Sequence, residues 1–371
     1  MKFLVSLLSL LLLGHFVFAK KASLDQSSLL PKRYIKKLDR HVSFLGLGTV
    51  ELGRAWGIAG EESLHPSESL AKDVLEQALK SGLNVIDTAS SYGLSEERIG
   101  RYIARENFDY LLITKPGEHN IKATDSRCQQ KAYDGIYCAK PAAAYDFSRE
   151  AIFNDVNESL KKLKTDKIDV VLLHLDNKTA IDILKKGEVV EALQDLKSMG
   201  KLNFMGISVN GAPAQYAIDM DVFDVIEMEY SLINQRNKPY IDAAYAKGMG
   251  IIIRGGLGTG LLTSYVKQHI DEPNLPYGEK IRALLKLTQY DYDKLTSLAL
   301  AFLYQDPHIS SVIIGADRPS YIKKDIKLLK EFNDYALLER AKELVQNYET
   351  PDFFTENMGE YYFNNLLPNW Q

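Results

Sequence analysis

From residue 41 onward, short β-branched apolar runs alternate with longer amphipathic stretches, and this alternation restricts the fold more than any other feature of the chain. The runs predicted as strands are Val42–Leu47, Asn84–Asp87, Tyr110–Thr114, Asp169–Leu173, Asn203–Ser208, Val225–Met228, Gly250–Ile253 and Ser311–Ile314. Between them a helical period marks Ser69–Lys80, Ser148–Lys164, Val189–Met199, Asn237–Lys247 and Tyr292–Tyr304. A run as continuously apolar as Val170–Leu173 implies a strand buried on both faces, the condition of a parallel sheet. Eight such strands, alternating with helices and joined by no long polar linker, predict one closed (β/α)8 TIM barrel rather than two doubly wound halves. Two stretches break the rhythm, Pro116–Ala144 and Ser264–Gln289. Both follow strands and are expected as inserted loops on the C-terminal face, where barrels carry their chemistry.

The 371 residues are 46% hydrophobic with a net charge of −4, and they lack the basic blocks of a nucleic-acid-binding chain. The start is different in kind. Lys2 precedes an almost wholly apolar run from Phe3 to Phe18, and Val17-Phe18-Ala19 suits a signal peptidase. Residues 1–19 are therefore expected to be a cleaved signal peptide and the mature protein to be exported, periplasmic or secreted. The alternative is an uncleaved anchor, for which the run is short, since a hydrocarbon core of ~30 Å needs ~20 residues. No second stretch of that kind follows, so no stable membrane span is expected after cleavage. Cys128 and Cys138, the only two cysteines, should form a disulfide in an oxidising compartment and remain free thiols in the cytosol. They cannot make a zinc site alone, and no metal is expected. The barrel is taken as 34–348 and the segment 349–371 as an aromatic-rich C-terminal tail.

A doubly wound dinucleotide domain would carry Gly-x-Gly-x-x-Gly after its first strand. Gly46-Leu-Gly48 lacks the third glycine, and Gly255-Gly-Leu-Gly-Thr-Gly260 fails the spacing. Four polar residues at strand ends carry more. Asp87 ends the second predicted strand, with Tyr92 in the loop beyond it; Lys115 follows the third, and His174 the fourth. Neighbouring parallel strands lie ~4.8 Å apart, so these ends should converge. Reducing a carbonyl needs a hydride and a proton. A phenol titrates near ~10, and an adjacent ammonium brings that down. Tyr92 is read as the acid, Lys115 as its activator and Asp87 as the anchor of the lysine. His174 would orient the substrate oxygen.

The set Gly46-Leu-Gly48-Thr49, Asn84-Val-Ile-Asp87-Thr88-Ala89-Ser-Ser-Tyr92-Gly93, Ile113-Thr114-Lys115, Asp169-Val-Val-Leu-Leu-His174 and Gly206-Ile-Ser208 resembles the aldo-keto reductase family. Ser159-Leu160-Lys-Lys-Leu163-Lys-Thr165-Asp166 and Gly258-Thr-Gly260-Leu261-Leu262 extend the likeness, which runs from about Tyr34 to Leu329. It implies an NADP or NAD cofactor lying across the C-terminal face and a small carbonyl substrate. By the same resemblance Thr49 and Asp87 would lie by the nicotinamide ribose, Ser208 would bond the carboxamide, and Gly256-Leu257 would follow the pyrophosphate. Val209 intervenes before Asn210, which leaves Asn210 as a second carboxamide contact or none. Glu227 stands where a glutamine is usual, and Arg254 where an aromatic often stacks. In the segment that meets the adenosine 2′-phosphate, Gly315, Tyr321 and Asp325 stand where the family commonly has a Lys or Arg, a second Arg or Gln, and an Asn, with Arg318 either a phosphate partner or a surface residue. Trp56, the two inserted loops and the aromatic tail (Tyr361, Tyr362, Phe363) are expected to shape the substrate pocket.

The leading expectation is thus an NAD(P)H-dependent reductase of an aldehyde or ketone. Its rival is a non-catalytic barrel that binds a dinucleotide or small ligand as sensor or partner subunit, since a fold does not prove a function.

Overall fold

The computed structural model describes residues 30–53, 66–105, 108–120, 136–139, 143–175, 177, 179–273 and 275–348. Residues 1–19, Trp56, Cys128 and the tail 349–371 lie outside the described residues, as does the side chain of Cys138. The expected signal peptide and disulfide fall there.

A hairpin of β1 (Lys32–Ile35) and β2 (Arg40–Ser43) leads into the barrel. Then come β3 (Leu45–Gly48), α1 (Glu68–Lys80), β4 (Val85–Asp87), α2 (Ser95–Tyr102) and β5 (Leu111–Thr114). The first insertion holds β6 (Glu118–Asn120), β7 (Ile136–Ala139) and β8 (Ala143–Asp146), an antiparallel sheet in the order β6-β8-β7. The alternation resumes with α3 (Arg149–Leu163), β9 (Ile168–His174), α4 (Ala180–Lys186), α5 (Glu188–Ser198) and β10 (Leu202–Ser208). It continues with α6 (Gly211–Met220), β11 (Val225–Glu229), α7 (Lys238–Ala246) and β12 (Gly250–Arg254). The second insertion contains α8 (Gly278–Leu287); α9 (Tyr292–Gln305), β13 (Ser311–Gly315), α10 (Pro319–Glu331) and α11 (Tyr335–Gln346) complete the described chain.

Eight parallel strands close in the order β3-β4-β5-β9-β10-β11-β12-β13, with β13 returning to β3. All eight predicted strands are present, with one correction: Val42–Leu47 is two elements. Phe44 separates them, donating its N–H to the Pro31 carbonyl while its own carbonyl accepts from Val312, each at 2.7 Å. The residues before Phe44 belong to the hairpin. Its Ile35, Leu38 and Val42 join Val85, Leu111, Ile113, Val170, Leu172, Val225 and Ile252 in one buried cluster. Each such side chain contributes on the order of 1.5–3 kcal/mol when fully buried. The hairpin thus plugs one mouth of the barrel, and chemistry is confined to the other. A second correction concerns the first insertion, where the described residues 118–120, 136–139 and 143–146 form a small antiparallel sheet rather than only loop.

The helices form for legible reasons. In α1, Ala71, Val74, Leu75, Ala78 and Leu79 recur at the spacing of one face and are buried, while the Ser67 hydroxyl caps the first turn by accepting from Leu70 N–H at 3.3 Å. Ser148 does the same for α3 through Ala151 N–H at 3.2 Å, and Asp291 for α9 through Lys294 N–H at 3.0 Å. Among the described residues no helix is long and apolar enough to cross a membrane.

Candidate active site

Lys115 follows β5 and is fully buried. Its ammonium donates to both oxygens of Asp87, at 2.6 and 2.6 Å, and to the Thr88 carbonyl at 3.2 Å. A lysine is buried only when its charge is met, and here a second carboxylate meets it too: Glu227 Oε2 lies 3.5 Å from Nζ. Burial alone would drive the ammonium to give up its proton; Asp87 and Glu227 together overcome it and hold Lys115 charged well above the usual lysine range. Burial and the Glu227 charge push Asp87 well above the ordinary carboxylate range. Glu227 goes the other way. Burial opposes its ionisation, yet Lys115, Arg254 and the Ser208 hydroxyl hold it below the usual value.

Tyr92 sits in the loop between β4 and α2, and that loop is bound to the lysine strand at its end. Ser90 donates to the Lys115 carbonyl twice, from its N–H at 3.1 Å and its hydroxyl at 3.0 Å. Gly53 lets the turn after β3 press against this loop, since a Cβ there would run into the Tyr92 carbonyl. The Lys115 ammonium is 5.2 Å from the centre of the Tyr92 ring. His174, the last residue of β9, faces the same ring edge-on at 6.3 Å. The four residues expected at one spot therefore stand together.

The next strands complete a rim. Ser208 pairs in register with both His174 and Glu227, so the three lie side by side on β9, β10 and β11. The Ser208 hydroxyl donates to Glu227 Oε1 at 2.8 Å, and Arg254 Nε at the end of β12 is 3.7 Å from that same oxygen. Thr49 donates its hydroxyl to the Asp87 carbonyl at 2.7 Å and accepts from Ser95 at 2.6 Å, which fixes the end of β4. Gly256 leaves room for close packing, since a Cβ there would come 2.7 Å from Val312 Cγ1 and 2.8 Å from Leu303 Cδ1 and push both side chains aside. Leu257 packs partly buried against the core.

Two expected contacts are otherwise engaged. Asn210 spends its side-chain oxygen on Glu229 N–H and Asn237 Nδ2, each at 2.8 Å. Arg318 forks onto its neighbour Asp317 with two bonds of 3.0 Å and lies over the Tyr321 ring. Beside it the buried Glu51 carboxyl occupies the space a Cβ on Gly315 would need, and burial pushes its pKa up to about 7.

Sequence reading missed Glu118. Its Oε2 lies 2.8 Å from His174 Nδ1, an ion-pair distance without the alignment of a hydrogen bond, and accepts from the Ser91 hydroxyl at 3.2 Å. The one hint in the sequence is that Glu118 comes three residues after Lys115 and so leaves the barrel beside it.

The model of the aldo/keto reductase family fits residues 44–340. The chain belongs to that family. It is an NAD(P)H-dependent oxidoreductase. It is 26% identical to L-galactose dehydrogenase of Arabidopsis thaliana over 339 residues, covering 85% of this chain and 95% of that one. An uncharacterised oxidoreductase of Bacillus subtilis is 25% identical over 335 residues, 87% of this chain and 98% of the relative. Among solved structures, a glycerol dehydrogenase of Gluconobacter oxydans superposes with a TM-score of 0.63 at 25% identity, covering 85% of this chain and 95% of its own. The holo form of an aldo-keto reductase of Bacillus halodurans gives 0.65 at 24% identity, with 86% and 96% covered.

Proposed function

We propose that this aldo-keto reductase interconverts a small carbonyl compound and its alcohol with Tyr92 as the proton donor. The observation that carries the reading is the buried Lys115, bonded to Asp87 at 2.6 Å through both oxygens and set under the Tyr92 ring. A binding protein has no need of a desolvated ammonium beneath a phenol. A substrate oxygen within hydrogen-bond reach of Tyr92 would accept the phenolic proton. The ammonium would stabilise the phenolate left behind, and Asp87 keeps that ammonium charged. His174 would face the same oxygen, steadied on its far side by Glu118. The nicotinamide dinucleotide, when bound, supplies the hydride. Ser208, Glu227 and Arg254 would hold its nicotinamide end. Their fit rests on Glu227 Oε2, a buried acceptor that makes no hydrogen bond in the protein.

The test is to incubate purified protein with NADH or NADPH and a panel of aldehydes, ketones and quinones while following cofactor absorbance. Turnover of at least one carbonyl is expected. Tight dinucleotide binding with no turnover across the panel would favour the sensor or partner subunit instead.

The adenosine end points to a preference. Arg318 is engaged by Asp317, and Glu51 adds a second acid beside Gly315. A 2′-phosphate there meets acids and gains no free guanidinium, losing charge-assisted bonds of ~1.5–3 kcal/mol each. NADH is therefore expected to bind at least as tightly as NADPH in fluorescence titrations. An NADPH affinity a hundredfold the greater would refute this.

A further inference from the structure

We propose that Glu227 makes the site favour the oxidised, cationic nicotinamide over the reduced one. This weights the protein toward alcohol oxidation, in which the carbinol carbon gives a hydride to the cofactor and the hydroxyl gives its proton to Tyr92. The inference rests on the function proposed above and asks which redox form the site is built to hold.

The position follows from reach. The substrate oxygen must be within a hydrogen bond of Tyr92, and the hydride-bearing ring within ~3–3.5 Å of the reacting carbon. That ring would therefore lie against the cluster whose ammonium is 5.2 Å from the Tyr92 centroid and 3.5 Å from Glu227. The two redox forms differ there by one positive charge. Among the charged groups of the cluster, Lys115 and Arg254 face Asp87 and Glu227, so each cation has a carboxyl opposite it before any cofactor arrives. With glutamine at 227 the same set would carry one negative charge fewer and hold the cationic ring less well. Glu227 is 1% exposed, so solvent does little to screen the difference. Lys115, Arg254 and Ser208 keep the carboxyl ionised against the pull of burial. The geometry adds a second reason. Ser208 satisfies Oε1, whereas Oε2 is buried with no hydrogen bond and can accept from an amide N–H such as that of a carboxamide.

The experiment titrates NAD+ and NADH separately into the full chain, reading intrinsic fluorescence or heat, for the wild type, Glu227→Gln and Arg254→Gln. Glu227→Gln conserves volume and should weaken NAD+ relative to NADH by about tenfold or more, a shift equivalent to about 1.4 kcal/mol. Arg254→Gln removes a cation from the same cluster and should move the ratio the opposite way. It lies at the partly exposed rim, so it still decides the matter if Glu227→Gln does not fold. A ratio unchanged within twofold in the folded variants overturns the proposal and leaves the function standing. A wild type that binds neither form overturns both.

Discussion

Tyr92→Phe should lower turnover by ~10² or more while both dinucleotides keep their affinity within about twofold. The magnitude is that of a general acid removed from an otherwise intact site. The structure supports the asymmetry between binding and rate. The Tyr92 loop is held by its backbone: Tyr92 N–H donates to the Ala89 carbonyl at 3.0 Å, and its own carbonyl accepts from Ser95 at 3.1 Å. Loss of one hydroxyl leaves those bonds in place, along with the Ser90 bonds to Lys115 and the ring's contact with the ammonium. Rapid-mix measurement of single turnovers separates the chemical step from product release. A Tyr92→Phe variant turning over at near wild-type rate would remove Tyr92 from the mechanism and, with it, the reason for the buried lysine.

The barrel and the convergence of Asp87, Tyr92, Lys115 and His174 were legible because both depend on local signals. Strand period, apolar runs and the first polar residue beyond a strand are written within a few residues of one another. The hairpin that plugs the barrel was not legible, since Lys32-Arg-Tyr-Ile35 is too polar to read as a strand. It is one because Ile35 and Leu38 find the interior cluster and because its register with Arg40–Ser43 is set in three dimensions. In the sequence Glu227 reads as a contact of the cofactor alone. Its approach to Lys115 joins β11 to the lysine at the end of β5, 112 residues away in the numbering, and no spacing rule reports that. Glu118 was hidden by a different cause. It lies in a stretch that reads as loop by composition, whereas in the fold it pairs with β8 as part of β6 and meets His174.

Lys115→Met should cost stability as well as rate, because the lysine serves two buried acids. Removing the ammonium leaves Asp87 and Glu227 desolvated and facing each other with their shared counter-ion gone. Breaking a buried pair in this way costs ~3–5 kcal/mol. With an unfolding entropy of ~2.1 cal/mol/K per residue, a barrel of this size moves its melting temperature by only ~1.5 °C per kcal/mol, so a fall of roughly 5–7 °C is expected. Asp87→Asn should cost less, since Lys115 keeps Glu227 at 3.5 Å. The triple change Lys115→Met, Asp87→Asn, Glu227→Gln should melt above Lys115→Met alone, because no uncompensated charge remains in the floor. The pH dependence has a definite sign. In the wild type the Glu227 carboxyl is held below its unfolded value, so its stabilising part is present above ~4.3 and lost as pH falls through the folded value, whereas Asp87 is held above its unfolded value and adds stability as pH falls. In Lys115→Met that attraction is gone and burial raises both acids above their unfolded values. The folded variant then binds more protons than the unfolded chain and gains stability as pH falls. The melting gap between wild type and Lys115→Met should accordingly narrow from pH 8 to pH 5. A variant melting within 2 °C of the wild type at pH 8 would mean that the two carboxylates do not depend on Lys115, and the electrostatic account of this site would fail at its centre.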